Sequence, residues 1–287
     1  MRAKKFVRSE IPLLPPIFDE EEIKFNSWLA GFIDGDGYIY VSKEGDCCNL
    51  QLKQAEWNIH LLELLKDKLG GGIYRVKETK NTYVYHLSKR DAMINLTHCL
   101  NGHIRATSRN GQFKGMCQVY NIDYIQPIKL KPNDNYFAGF IDADGSLFLN
   151  NKKAKESGSS ASIRIEVTAK FENDLDDFHS LFNGNVTHRE GAGCYKWIIQ
   201  SKKDILFAEG CFGRNLKSNK LIRSSLIQLF FELKEKSAYK TESRFFPDWR
   251  KFVNDWYDNG ADIYRKNCTG IPYTAKARNA KDEEEDT

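Results

Sequence analysis

Polar and apolar side chains alternate strictly in two stretches of the chain. Asn49, Gln51 and Lys53 interleave with Cys48, Leu50 and Leu52; Arg164, Glu166 and Thr168 interleave with Ile163, Ile165 and Val167. A period of two predicts strands with one polar and one apolar face. The aromatic and β-branched run 38–42 predicts a strand before the first of these, and 146–150 one before the second. A helical period then appears at 58–69, which ends in Gly70-Gly71-Gly72. Strands at 73–78 and 82–88 and a helix at 89–99 follow. Phe113, Met116, Cys117 and Tyr120 fall at i, i+3, i+4 and i+7, predicting a closing helix capped by Ser108. The programme repeats with a helix at 173–182 and strands at 185–190 and 194–200. Ser201-Lys-Lys-Asp204 opens a further helix, as Ser88-Lys-Arg-Asp91 does earlier. Ser218 caps a last one, with Ile222, Leu226, Leu229, Phe230 and Leu233 inward. The order helix–β–β–helix–β–β–helix–helix occurs twice, which predicts a duplicated α+β domain.

Each repeat opens on nearly the same nine residues: LAGFIDGDG at 29–37 and FAGFIDADG at 137–145. Small residues four apart (Gly31 and Gly35; Gly139 and Ala143) suit a helix that approaches another closely. Asn26 or Ser27, and Asn133 or Asp134, are the expected N-caps. Gly37 and Gly145 are expected to stop the helices in the left-handed C′ conformation. If the two helices pack together, Asp36 and Asp144 meet at their C-terminal tips. Two carboxylates there repel each other and face the negative dipole end, a cost that a divalent cation offsets with hard oxygen ligands. A calcium-binding EF-hand fails on spacing, because either frame puts the wrong residues at the ligand positions.

The 287 residues carry a net charge of +4; without Lys281 and the five acids at 282–286 the body has +8, a balance that suits a polyanionic partner. Seven cysteines without a C-x-x-C pair favour a reducing, intracellular compartment over zinc or disulfides. No apolar run of 18 residues exists, so no membrane span is expected. The expected organisation is an N-terminal arm (1–24), a first half (25–120), a linker rich in proline (121–133), a second half (134–236), a docking extension (237–274) and an acidic disordered tail (275–287).

At the two motifs, and in segment order over roughly 25–236, the sequence resembles the LAGLIDADG homing endonucleases in their single-chain, two-motif form. The resemblance implies two pseudo-symmetric αββαββα(α) halves, each with a curved four-stranded antiparallel sheet, packed through the motif helices. It implies a monomeric endonuclease that reads a long non-palindromic site in double-stranded DNA through the major groove and cuts one phosphodiester per strand, leaving 3′ overhangs. Asp36 and Asp144, with the carbonyls of Gly35 and Ala143, would hold two or three Mg²⁺ ions, with Mn²⁺ or Ca²⁺ substituting in binding. Lys220 and Arg109 would be the basic residues beside them, and Gln54 would orient water, a role its counterpart Ala169 cannot take. Asp34 and Asp142 would be structural. The DNA-facing set would be Tyr38, Tyr40, Ser42, Asn49, Gln51, Lys53, Arg75, Lys77 and His86 in the first half. In the second it would be Ser146, Phe148, Asn150, Arg164, Glu166, Thr168, His188, Lys196 and Gln200.

Two alternatives share the scaffold: a maturase whose partner is intron RNA, and a DNA-binding protein that no longer cuts. His98 and His103 flank Asn101 but lack a ββ-metal context, and the other histidines are scattered. Genes of this kind are often carried by organelle introns, so a mitochondrion or chloroplast is the expected compartment.

Overall fold

The computed structural model describes residues 16–77, 79, 81–150 and 161–257. The first repeat runs α1 (Glu20–Asp36), β1 (Gly37–Val41), β2 (Cys48–Ala55), α2 (Ile59–Leu69), β3 (Gly72–Arg75), β4 (Thr82–Leu87), α3 (Arg90–Leu100) and α4 (Thr107–Tyr120). The second runs α5 (Asn135–Asp144), β5 (Gly145–Asn150), β6 (Ser162–Ala169), α6 (Asp176–Phe182), β7 (Asn185–Arg189), β8 (Cys194–Ile199), α7 (Lys202–Phe212), α8 (Lys220–Ser225) and α9 (Ile227–Glu235). Each half folds into a four-stranded antiparallel sheet, in the orders β1-β2-β4-β3 and β5-β6-β8-β7. The apolar sets behave as the alternation predicts. Leu50 and Leu52 lie buried with Leu61, Leu62 and Leu65 of α2, and Ile163, Ile165 and Val167 lie under an aromatic cluster. In that cluster Phe137 meets Phe182 edge-on at 4.9 Å.

The halves join through α1 and α5. A Cβ on Gly31 would run into the backbone carbonyl of Tyr136, and one on Gly139 into the carbonyl of Trp28. The contact is thus reciprocal, backbone against backbone, and only glycine fits at either crossing point.

Several local expectations are corrected. Helix α1 begins at Glu20, inside the stretch expected to be a loose arm, because Asp19 and Glu22 form a capping box (Asp19 accepts from Glu22 N at 2.8 Å; Glu22 accepts from Asp19 N at 2.9 Å). Asn26 and Ser27 are therefore buried in mid-helix, where Ser27 Oγ accepts from Tyr136 N at 3.0 Å. Gly37 and Gly145 are extended, with φ of −75° and −84°, so neither helix ends in a left-handed turn. Glycine is needed there for space: a Cβ would lie 2.6 Å from the Ile33 carbonyl and 2.7 Å from that of Ile141. The last helix of the second half is broken at Leu226 into α8 and α9, which turns Leu229 outward and Ile227 inward. Ser108 does not cap α4; Asp174, from the other half, takes that place.

Beyond the repeats, α10 (Phe246–Tyr257) docks through Trp249, Phe252 and Trp256, with the ring of Phe230 of α9 tilted against the first two. Residues 1–15, the insertion 151–160 and the acidic tail lie outside the described residues. Among the described residues no helix is long and apolar enough to cross a membrane, and the cysteines are free thiols.

Candidate active site

The tips of α1 and α5 press together. A Cβ on Gly35 would overlap that of Ala143 and lie 3.3 Å from Asp144 Oδ2. Asp36 follows Gly35 directly, so the last carboxylates of both helices share one small space. Gln54 Nε2 donates to Asp36 Oδ2 at 2.5 Å, and Asn58 Nδ2 donates to Gln54 Oε1 at 3.2 Å, which fixes the amide with its donor toward the acid. The second half lacks this support. Leu52 pairs with Gly37 and Val167 with Gly145, so Ala169 stands where Gln54 stands in the first half. Burial, then the charge of Asp144, pushes the Asp36 carboxyl up to about 6 against the pull of Gln54, Lys220 and Arg109; burial likewise raises Asp144.

Two carboxylates in mutual repulsion, Asp36 half-buried and Asp144 reaching solvent, are a donor pair that a hard divalent cation fits. Among the described residues no group of three or more His, Cys, Asp and Glu forms a cage, so such an ion would complete its shell with water or phosphate oxygens. The Gly35 and Ala143 carbonyls, expected as ligands, already accept hydrogen bonds: Arg109 Nη2 lies 3.3 Å from Gly35 O and Lys220 Nζ 3.2 Å from Ala143 O.

Lys220 and Arg109 reach matching carbonyls of the two motif helices from helix positions that do not coincide. Lys220 Nζ also donates to the carbonyls of Ile141 at 2.7 Å and Asp142 at 2.9 Å, and Arg109 Nε donates to Ile33 O at 3.2 Å. Each cation sits in the first turn of its own helix, against that dipole, yet closes the carbonyl end of a motif helix. Burial pulls the Lys220 ammonium below its ordinary pKa, while Asp142, Asp36 and Asp144 oppose the shift.

Asp34 and Asp142 point away from the pair and organise the loops that deliver those cations. Asp34 Oδ2 accepts from the backbone of Arg105 (2.8 Å) and Ala106 (3.1 Å), and from the Tyr136 hydroxyl of the other half at 2.8 Å. Asp142 accepts from the backbone of Lys217 (2.7 Å) and Ser218 (3.0 Å), and from Trp28 Nε1 at 2.8 Å. The sequence reading did not single out Trp28 and Tyr136. The signal was an aromatic one turn or more before each motif acid, with the polar handle that buried Trp and Tyr must satisfy.

Register decides which expected DNA-facing side chains share the polar faces. Tyr38 pairs with Gln51, Tyr40 with Asn49 and Gln51 with His86, so these lie on one face with Lys53. Ser146, Phe148, Asn150, Arg164, Thr168 and Lys196 share the second face, and Gln200 continues it just beyond β8. Four expectations are corrected. Arg75 pairs with Tyr83, on the opposite parity, and Lys77 lies beyond the end of β3; Tyr74, paired with Val84, takes the polar-face place. His188 pairs with Tyr195 on the other side, its ring 4.7 Å from that tyrosine, while Thr187, which pairs with Lys196, and Arg189 face the polar side. Ser42 is buried and serves a turn, donating to Asp46 Oδ1 at 2.7 Å. Glu166 is 5% exposed and holds Arg164 (3.1 Å) and Lys196 (3.0 Å); burial raises its carboxyl, but these two cations bring it below the ordinary value. It therefore positions two basic side chains of this face.

Among solved structures, the fold matches the LAGLIDADG meganuclease I-AabMI bound to uncleaved DNA, with a TM-score of 0.60 at 19% identity, covering 79% of this chain and 97% of that one. The chain is 32% identical over 253 residues to the intron-encoded RNA maturase bI4 of Saccharomyces cerevisiae, covering 85% of this chain and 38% of that protein. It is 30% identical over 250 residues to the probable intron-encoded endonuclease aI2 of Debaryomyces hansenii, covering 82% and again 38%. It thus spans well under half the length of both relatives. The model of the LAGLIDADG endonucleases matches residues 29–120 and 137–207, one span over each half and each opening at the motif whose final acid reaches the shared tip. Duplicated fold, paired helix tips and matched residues agree: the chain belongs to the LAGLIDADG endonuclease family.

Proposed function

We propose that the chain is a site-specific double-strand DNA endonuclease, acting as a monomer whose two halves complete one centre. The observation that carries this reading is the meeting of Asp36 and Asp144 between two sheets that each expose a polar face. The faces mix amides, hydroxyls, aromatics and held cations, a composition suited to base edges in a major groove. Because the two faces differ, the site they read is non-palindromic. Asp36 and Asp144 would hold Mg²⁺, which when bound supplies Lewis-acid polarisation and a water of lowered pKa. The chain's own part is placement. Gln54, fixed by Asn58, orients Asp36; Lys220 and Arg109 close the helix tips and set a positive potential where a phosphodiester must sit.

The test is incubation with a plasmid carrying the uninterrupted host gene, with and without Mg²⁺. Metal-dependent linearisation with 3′ overhangs is expected. Asp36→Asn and Asp144→Asn should each abolish double-strand cutting while leaving DNA binding nearly intact; normal cutting of both strands by either variant sinks the assignment. The maturase relative favours one second reading, binding of intron RNA on the same scaffold. Binding to intron RNA without cutting of the plasmid would select it.

A further inference from the structure

Each half reaches across the molecule to grip the loop that delivers the other half's cation. In the first half that loop leads into α4, whose N-cap position, Ala106, has no side-chain acceptor. Asp174, in the short turn after β6 of the second half, fills the gap. Its Oδ1 accepts from Thr107 N at 2.8 Å and Thr107 Oγ1 at 2.6 Å, and Asn173 Nδ2 donates to the same hydroxyl at 3.1 Å. Arg105, two residues earlier, pairs with Asp177 at 3.7 Å. The equivalent contact on the other side uses neutral groups: His60 meets the Lys217 carbonyl at 2.8 Å, and Asn219 Nδ2 donates to Trp57 O at 3.0 Å.

Arg109 lies two residues beyond Thr107, in the first turn of α4, and its guanidinium must reach Ile33 O and Gly35 O at 3.2 and 3.3 Å. A cation in the first turn opposes the helix dipole, and a carboxylate at that N-terminus offsets it. The turn 105–107 is therefore held between two acids: Asp34 from its own motif helix and Asp174 from the opposite half. Asp34 fixes where the turn sits, while Asp174 fixes the direction in which α4 leaves it, and so the path of Arg109.

We propose that Asp174 is a positioning residue for Arg109, so that the strand served by the first-half cation depends on a contact made by the second half. This rests on the reading of Arg109 as a cation of the cleavage centre. Because Lys220 is delivered by a different loop, losing Asp174 should disturb one strand and spare the other. An ordinary loss of stability would slow both alike.

The experiment follows the two nicking rates separately on a supercoiled plasmid carrying the target, for the wild type, Arg109→Gln, Asp174→Ala and Asp174→Asn. Arg109→Gln identifies the strand in question. Asp174→Ala is expected to slow that strand about tenfold or more, as small misplacements near a reacting centre do. Asp174→Asn keeps an oxygen acceptor for Thr107 and should restore most of the rate. A second readout needs no cutting: hydrogen exchange of the Arg109 Nε–H, protected by its bond to Ile33 O, should accelerate in Asp174→Ala and remain slow in Asp174→Asn. An Asp174→Ala variant with the wild-type ratio of nicking rates and wild-type Arg109 exchange overturns the proposal. If the wild type nicks neither strand, the endonuclease reading is what fails, and the exchange measurement alone then decides whether Asp174 positions Arg109.

Discussion

At the scale of single residues, the centre is built from charges that oppose one another, and this makes it measurable by pH. Asp36 is raised from 3.8 to about 6, chiefly by burial and then by Asp144. Its folded-state value is above its unfolded one, so below about pH 4 the group is protonated in both states and costs nothing. As pH rises through 6 the folded protein must carry the half-buried charge beside Asp144, and stability is lost. Asp36→Asn should therefore leave the stability of metal-free protein nearly unchanged at pH 4 and raise it above pH 7, by on the order of 2 kcal/mol, with a higher melting temperature there. Thermal melts across that range would show it; a gain that shrinks with rising pH contradicts the assigned cause. The same substitution is expected to remove cutting, so stability and activity change in opposite directions. Glu166 teaches a complementary lesson. On periodicity it is one more polar side chain of the exposed face, and in the fold each of its oxygens accepts from a cation, Arg164 or Lys196.

At the scale of elements, the α1–α5 crossing sets the site. Gly31 and Gly139 bring the backbones together, and at the tip one methyl group, that of Ala143, already touches the place where a second would stand on Gly35. Gly35→Ala should thus destabilise the protein by about 1–3 kcal/mol through overpacking. Adding Ala143→Gly should recover most of that loss, because the two positions share one space. A double-mutant cycle by denaturant unfolding measures the coupling; simple additivity of the two changes would show that the tips do not meet as described. The break at Leu226 also belongs to this scale. The periodicity of 218–236 reads as one helix, but two short helices let α8 carry Lys220 to the tip of α5 while α9 turns its own face toward α10.

At the scale of the whole molecule, the two acids come from different halves, so an ion held between them should bind only the folded chain. Millimolar Mg²⁺ is expected to stabilise the wild type by about 1.4 kcal/mol at tenfold excess over its dissociation constant, and so to raise its melting temperature. The shift should vanish in the Asp36→Asn, Asp144→Asn double variant. An equal shift in that variant would place the bound ion elsewhere. If the chain cuts DNA, the unequal support of the acids, Gln54 on one side and Ala169 on the other, should give unequal nicking of the two strands in the same assay that tests Asp174.

Local chemistry was enough to determine the repeat itself. Strict alternation at 48–53 and 163–168, the helical periods and the two nine-residue motifs each state a local preference, and local preferences survive in the fold. They specified two α+β halves, the core faces of β2 and β6, and Asp36 and Asp144 as the acids that meet if the motif helices pack; Gln54 and Lys220 were reached only through the family resemblance. Contacts between distant segments were decided only by the tertiary structure. Strand pairing moved Arg75 and His188 off the polar faces, since alternation gives parity within a strand but says nothing about which neighbour it meets. Helix α4 takes its cap from Asp174, 67 positions away, and Asp34 is fixed by Tyr136 across the pseudo-twofold axis. A buried donor must find an acceptor somewhere, but only the packing of one half on the other says where.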